Sequence, residues 1–153
     1  MASLASAASI IATFLLVVFC TAALGQDARR DSTVELLYVS AADCGFCRRW
    51  EAQYLDGQRP LASLDWAEVR FTRVDIGTFR ARFSADDAPA HLRPGLAKAM
   101  AAAGQASLRG TPWFALFVNG EVRSHAFGTS AFETRIQPAM RAALRENAPA
   151  ART

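Results

Sequence analysis

The sequence predicts an α/β domain in which a mixed sheet is flanked by helices. A β-favouring run at residues 32–40, a helical pattern and an alternating run at 68–77 together predict a parallel βαβ unit. Further along, Asn119-Gly120 joins an apolar run to a second strand-like run, and this dipeptide is typical of an antiparallel hairpin. Parallel and antiparallel strands are therefore expected in one sheet.

The first half of the chain contributes two strands and a helix. Residues 32–40 (STVELLYVS) predict a buried strand. Phe46, Trp50 and Tyr54 recur every four residues, which predicts a helix with all three side chains on one face. The segment DGQRP at 56–60 ends that helix, and the second strand follows.

The second half begins with its least regular part. Residues 78–93 mix aromatic, basic and acidic side chains without a period, which predicts an irregular insertion with room for a short helix. Pro94 suits the first turn of a helix over 95–104. Strands at 113–118 and 121–127 form the hairpin.

A terminal helix is predicted by apolar residues every four positions. The segment SAFE at 130–133 has the pattern of a capping box at its start. Pro138 falls inside the apolar pattern and predicts a kink or a later start. The apolar face of this helix comprises Phe132, Ile136, Met140 and Leu144.

The composition is that of one globular domain, expected over residues 26–153, behind an unusual N-terminus. The net charge is +3, and arginine supplies 16 of the 17 basic residues. These arginines are scattered among acidic and apolar residues, which indicates a solvated surface and no nucleic-acid partner.

Residues 1–25 predict a signal peptide, because they carry no charged side chain and contain an apolar run at 10–19. Ala23 and Gly25 are small residues at the two positions a signal peptidase reads, so cleavage is expected before Gln26 and the protein is expected to be periplasmic or otherwise exported. No lysine or arginine precedes the apolar run, which leaves a membrane anchor formed by residues 10–25 as the alternative.

Cleavage before Gln26 would remove Cys20 and leave one cysteine pair, Cys44 and Cys47. Two cysteines three apart in a first helical turn can form and open a disulfide with little movement. Unpaired N–H groups and the helix dipole favour a thiolate at Cys44, which predicts Cys44 as the nucleophile and Cys47 as the resolving thiol. No cofactor is required, since the electrons reside in the two sulfurs.

Other interpretations of the pair remain open. A structural zinc ion needs four ligands, and His91 and His125 are in no close ligand spacing with the cysteines, so we expect no metal ligands. A purely structural bridge would close too short a loop to restrict the unfolded chain much. A non-catalytic binding module and delivery of copper by two thiolates are the alternative functions.

Residues 33–146 combine CGFC after a strand, RGTP before an apolar strand, the NG hairpin, the following Gly128 and the terminal helix. This combination resembles the thioredoxin superfamily. The resemblance implies a thioredoxin-like fold, a cis bond between Thr111 and Pro112 next to the cysteines, and exchange with protein thiols and disulfides.

The resemblance also implies a peptide-binding surface. The Thr111 backbone would hydrogen-bond an extended peptide beside Pro112, with an apolar patch around Gly45 and Phe46; Trp113 either joins this patch or is buried. CGFC and the threonine before the proline are similar to bacterial disulfide isomerase catalytic domains. This favours a reductant or isomerase-like role and implies a membrane-bound redox partner.

Two further features depart from the family pattern. Tyr38 stands six residues before Cys44, where thioredoxins usually have a buried acid. Proton transfer at Cys47 would then need water or a group such as Asp43 or Glu35. The insertion at 78–93 is longer than the usual connection, and it either covers one side of the active-site face or forms a surface loop.

Overall fold

The computed structural model describes residues 33–56 and 68–147. The expected signal peptide or anchor and its cleavage site lie outside these residues, so the localisation stays a prediction. Within the described ranges, no helix combines the length and apolar character that crossing a membrane requires.

Two sheets account for all the strands described. A four-stranded sheet has the order β2-β1-β5-β6, and a separate ribbon pairs β3 with β4. β1 is parallel to β2 and antiparallel to β5, and β5 is antiparallel to β6. The predicted fold class, with a parallel βαβ unit and a C-terminal hairpin, is therefore confirmed. The strands are β1 (Val34–Ser40), β2 (Val69–Asp75), β3 (Arg82–Phe83), β4 (Leu108–Arg109), β5 (Trp113–Val118) and β6 (Glu121–Phe127).

Helices cover both faces of the large sheet. α1 (Gly45–Tyr54) follows β1, and α2 (Arg93–Ala102) follows the insertion, which contains a 3₁₀ turn at Ala85–Asp87. After β6 the chain forms α3 (Thr129–Ala131), a π-helical turn (Phe132–Ile136) and α4 (Gln137–Asn147).

Alternating side chains of β1 separate two hydrophobic clusters. Tyr38 belongs to the cluster that includes Trp50 and the cysteines, whereas Leu37 belongs to the cluster formed with α2 and the insertion. Successive residues of a strand point to opposite faces. Glu35, two residues before Leu37, therefore lies on the insertion side of the sheet, away from the cysteines.

The buried face of α1 differs from the prediction. Cys47, Trp50 and Tyr54 are buried, but Phe46 is 59% exposed. A helix turns about 100° per residue, so a four-residue spacing drifts by about 40° at each step. Phe46 consequently leaves the core side and faces solvent.

The predicted capping box at 130–133 is wrong. The helix begins at Thr129, directly after Gly128, and the Glu133 carboxylate accepts a hydrogen bond from the Tyr54 hydroxyl. Pro138 is the second residue of α4. It lacks the N–H that would bond one turn back, and the π-helical turn before it absorbs this interruption, as the predicted kink or shift requires.

The insertion is ordered by its own packing. Phe83 and Leu92 are 2% and 1% exposed and belong to the cluster on that face of the sheet. In the β3–β4 ribbon, Phe83 is paired with Leu108 and Arg82 with Arg109. No sequence pattern predicts this ribbon, because each strand has only two residues.

Candidate active site

Cys44 and Cys47 form a disulfide at the start of α1, with their Cα atoms 5.2 Å apart. Cys44 is the residue that caps the helix, and its Sγ accepts a hydrogen bond from the Cys47 N–H at 3.0 Å. The two cysteines are only 3% and 1% exposed, whereas Gly45 and Phe46 between them are exposed. Gly45 and Phe46 are therefore the solvent-facing residues of the CGFC segment.

The helix start favours negative charge on Cys44 after reduction. The Cys47 N–H already points at the Cys44 sulfur, and a donor at the positive end of a helix stabilises a thiolate. Arg48 Nη1 donates to the Ala42 carbonyl at 3.1 Å, which ties the first turn to the loop before Cys44. Asp43 Oδ1 accepts the Phe79 N–H at 2.7 Å and so connects this loop to the insertion.

A groove borders Phe46, which lies between the two cysteines in the chain, and we call it the substrate groove because it is the candidate site for a bound peptide. It is lined by Phe46, Thr111, Pro112, Phe127 and residues of 128–135. The bond between Thr111 and Pro112 is cis, as the resemblance implies. Thr111 is 6% exposed, and its hydroxyl has no hydrogen-bond partner among the described residues. Most buried polar groups in folded proteins have a hydrogen-bond partner, so this hydroxyl is an exception.

Trp113 lies away from the substrate groove. It is 5% exposed, and its ring centroid is 6.0 Å from those of both Phe83 and His125. The second aromatic side chain that lines the substrate groove, after Phe46, is Phe127, which is 59% exposed. The sequence analysis missed Phe127, although the alternation of β6 places it on the same side of the strand as exposed His125.

Phe127 rests against a glycine. A Cβ atom built on Gly110 would come within 2.9 Å of the Phe127 ring. Gly110 also has a φ of +84°, which favours glycine. The glycine of the RGTP segment therefore lets the Phe127 ring lie close to the backbone before Pro112.

Tyr38 occupies the position of the expected acid, but it is a neutral hydrogen-bond donor. It is fully buried, and its hydroxyl donates to Glu51 Oε1 at 2.8 Å. Burial, and then the bond to Glu51, raises the pKa of Tyr38 far above its usual value. Arg73 Nη2 lies 3.3 Å from the same Glu51 oxygen. The carboxylate in this region thus comes from α1, one turn beyond Cys47.

The acids named from the sequence have other partners. Glu35, on the opposite face of the sheet, accepts the Thr72 hydroxyl at 2.6 Å, and its Oε2 lies 3.1 Å from His91 Nε2. It is therefore not placed for proton transfer at Cys47. Glu51 was missed, because only the fold brings it beneath the Tyr38 hydroxyl.

Neither histidine joins the cysteines. His91 contacts Glu35, and His125 stacks on Trp113. In the described part of the chain, no group of three or more histidine, cysteine, aspartate or glutamate side chains could hold a metal ion.

Several solved structures are similar to this chain. Thioredoxin f from spinach chloroplast (short form) is 17% identical, with 74% of this chain and 78% of that chain covered and a TM-score of 0.44. A thioredoxin from Trypanosoma brucei brucei is 15% identical, with 80% and 85% covered and a TM-score of 0.44. The DsbH oxidoreductase is 16% identical, with 73% and 75% covered and a TM-score of 0.41.

No protein-family model matches the chain, and no curated protein does. The fold has the mixed sheet, the disulfide at the start of α1 and the cis Thr111–Pro112 bond that the resemblance implies. Activity depends on the site and not on the fold, so the geometry of the cysteines and the substrate groove decides what the chain can do.

Proposed function

We propose that the protein is a thiol-disulfide oxidoreductase that acts on protein disulfides through Cys44 and Cys47. The observation that carries the proposal is a disulfide at a helix start, with Phe46 linking it to a groove that contains Pro112. A structural bridge would need neither the groove nor the exposed Gly45-Phe46 segment beside the sulfurs.

The exchange proceeds in two balanced steps. In the reduced protein, the Cys44 thiolate attacks one sulfur of a substrate disulfide; a Cys44–substrate disulfide forms, the substrate S–S bond breaks and one substrate thiolate leaves. Cys47, having lost its proton to solvent, attacks the Cys44 sulfur; the Cys44–Cys47 bond forms and the second substrate thiolate leaves. The protein loses two electrons, the substrate gains them, and the substrate thiolates take up protons from solvent.

The substrate groove positions the peptide for this attack. An extended peptide beside Pro112 would pair with the Thr111 backbone, as a strand added to an exposed edge does. Phe46 and Phe127 would contact apolar side chains on either side of the substrate cysteine.

The proposal also includes the direction in which electrons flow between the protein and its substrates. CGFC and Thr111 support a reductant or isomerase-like role in an exported, periplasmic setting, with a membrane-bound partner that restores the dithiol. A glutathione titration should give a potential below about −180 mV. A potential near about −120 mV, where strong oxidants of this type lie, would reverse the direction.

Reduction of insulin disulfides tests the chemistry itself. We expect Cys44→Ser to abolish the reaction, and Cys47→Ser to accumulate a mixed disulfide between Cys44 and the substrate that mass spectrometry detects. Full activity of Cys44→Ser would overturn the proposal. Arg145→Gln, an exposed change on α4 outside the substrate groove, is a control for handling and should retain the activity.

A further inference from the structure

A second groove adjoins the substrate groove and is rich in arginine; we call it the arginine groove. It shares Phe127 and Arg135 with the substrate groove and adds Arg82, Arg109 and His125. Polar backbone and side chains of residues 104–107 complete one wall, and no aspartate or glutamate is among its lining residues in the described chain.

Two of these arginines face each other across the β3–β4 ribbon. Arg82 and Arg109 are directly paired, and both are exposed. Like charges at paired positions destabilise an antiparallel ribbon. An anion bound beside the two guanidinium groups would remove the repulsion between them. Without such a ligand, the pairing of two arginines has no stabilising role.

The arginines of this groove also lack acidic partners. Within residues 33–56 and 68–147, Arg82, Arg109 and Arg135 form no ion pair, whereas Lys98 pairs with Glu121 and Arg123 with Glu146. Three cations without carboxylates around one groove give it a positive potential that extends to the substrate groove at Phe127.

We propose that the arginine groove binds an acidic segment of the polypeptide whose disulfide reacts at Cys44. This inference rests on the proposed function and names the class of its substrate. A polypeptide fits better than a small anion because the two grooves are continuous at Phe127 and Arg135. Guanidinium groups also pair with carboxylates through two parallel hydrogen bonds.

The proposal assigns a role to the insertion at 78–93. Arg82 and the core residue Phe83 both come from it, so the insertion is fixed to the sheet by one side chain and supplies charge through the other. Charges at the rim of a binding surface act mainly by accelerating association, and salt weakens them. The preference for acidic substrates should therefore decrease as ionic strength rises.

Two disulfide-linked model peptides test the proposal. The two peptides share the residues around the cysteine, and one carries a flanking run of glutamates where the other carries glutamines. One such pair of peptides has the run before the cysteine, and a second pair has it after the cysteine. The reduced wild-type protein should react with the better-placed glutamate peptide roughly three- to tenfold faster at low salt, the effect of two or three exposed charge pairs.

Variants of the β3–β4 ribbon test whether its arginines cause the preference for the glutamate peptide. Arg82→Gln with Arg109→Gln should lose most of this preference, whereas Arg82→Lys with Arg109→Lys should keep most of it. Arg82→Glu with Arg109→Glu should instead favour a lysine-flanked peptide. Arg145→Gln, an exposed change on α4, is the matched control. Thermal unfolding of each variant establishes that it is folded.

The outcomes separate this inference from the function on which it depends. Equal rates for the glutamate and glutamine peptides, or a preference that survives Arg82→Glu with Arg109→Glu, overturn the arginine groove but leave the exchange chemistry intact. Binding to vesicles of anionic lipid through the same arginines, without a peptide preference, also overturns it. No reaction of either peptide overturns the proposed function and this inference together.

Discussion

The two faces of the central sheet bury their cores in different ways. On the cysteine face, Tyr38, Trp50, Phe114 and Phe132 form a continuous aromatic cluster, with the Trp50 ring centroid 4.6, 4.9 and 5.0 Å from the other three. On the insertion face, aliphatic side chains of α2 pack with Phe83, Trp113 and Phe117, and the buried carboxylate of Glu35 lies on the same side of the sheet.

This difference indicates a division of roles. The cysteine face holds the disulfide on a rigid aromatic base, because interlocking rings leave little room for movement. The insertion face carries the short ribbon and its arginines, which can vary without disturbing the sulfurs. Chemistry and substrate preference would then reside on opposite sides of β1 and β5.

The largest expected effect comes from removing one tryptophan on each face. Trp50→Ala should destabilise the protein by about 3–5 kcal/mol, because the cavity is enclosed by rings on all sides. Trp113→Ala should cost less, since Trp113 borders the arginine groove and water can enter the space it leaves.

Urea denaturation of both variants measures these costs. Trp50→Phe serves as the control, because it keeps a ring and removes an indole N–H that has no partner among the described residues. An equal loss for the two alanine variants would contradict the contrast between the faces.

The next effect compares two hydroxyl–carboxylate bonds, one on each face. Thr72→Val removes the closest donor to Glu35, whose side chain is 4% exposed. Tyr38→Phe removes the donor to Glu51, whose side chain is 20% exposed. Loss of the hydrogen-bond donor to a carboxylate destabilises the fold more where water cannot replace that donor. Thr72→Val should therefore reduce the free energy of unfolding by about 1.5–3 kcal/mol, and Tyr38→Phe should reduce it by about 0.5–1.5 kcal/mol.

Urea denaturation of Thr72→Val and Tyr38→Phe at neutral pH measures which variant loses more stability. Thr134→Val is a suitable control, because its hydroxyl bonds a backbone carbonyl on an exposed helix face. A larger loss for Tyr38→Phe than for Thr72→Val would show that burial of the carboxylate does not set the cost.

Stability at alkaline pH tests whether the Tyr38 phenol is buried and neutral. Its pKa is raised in the folded protein from an ordinary value of 10.0, chiefly by burial. Below pH 10 the phenol is neutral in both states; above it only the unfolded chain ionises, so this contribution to stability is lost as the pH rises. The stability of wild type should fall more steeply above pH 10 than that of Tyr38→Phe. Parallel curves would contradict the buried, neutral phenol.

The cysteine face was largely predictable from the sequence, and the insertion face was not. Long apolar runs with clear periods predicted β1, α1 and the hairpin, and the CGFC and RGTP segments predicted the disulfide and the cis bond. Ribbon strands of two residues carry no period, so the pairing of Arg82 with Arg109 could not be found. Glu51 was missed because its contact with Tyr38 depends on tertiary packing, whereas Phe127 was missed although the alternation of β6 places it on the exposed side.

The smallest expected effect lies in the insertion, at the carboxylate of Asp87. It accepts hydrogen bonds from the Ser84 N–H at 2.7 Å and from the Ser84 hydroxyl at 2.8 Å. These bonds, the backbone one first, lower the pKa of Asp87. Asp87→Ala should reduce stability at neutral pH by about 0.5–1 kcal/mol, as expected for the loss of an exposed cap.

The pH dependence of this loss distinguishes the cap from a packing effect. A lowered pKa stabilises the fold above the unfolded value, and the contribution disappears as the pH falls through the folded pKa. Wild type and Asp87→Ala should therefore converge in acid, whereas Asp86→Ala, next to it but without these bonds, should match wild type throughout. Exchange with a small neutral disulfide should be unchanged in both variants, because Asp87 acts on the insertion and not on the cysteine face. A slower exchange in Asp87→Ala would mean that the two faces are coupled and that the insertion helps to position the sulfurs.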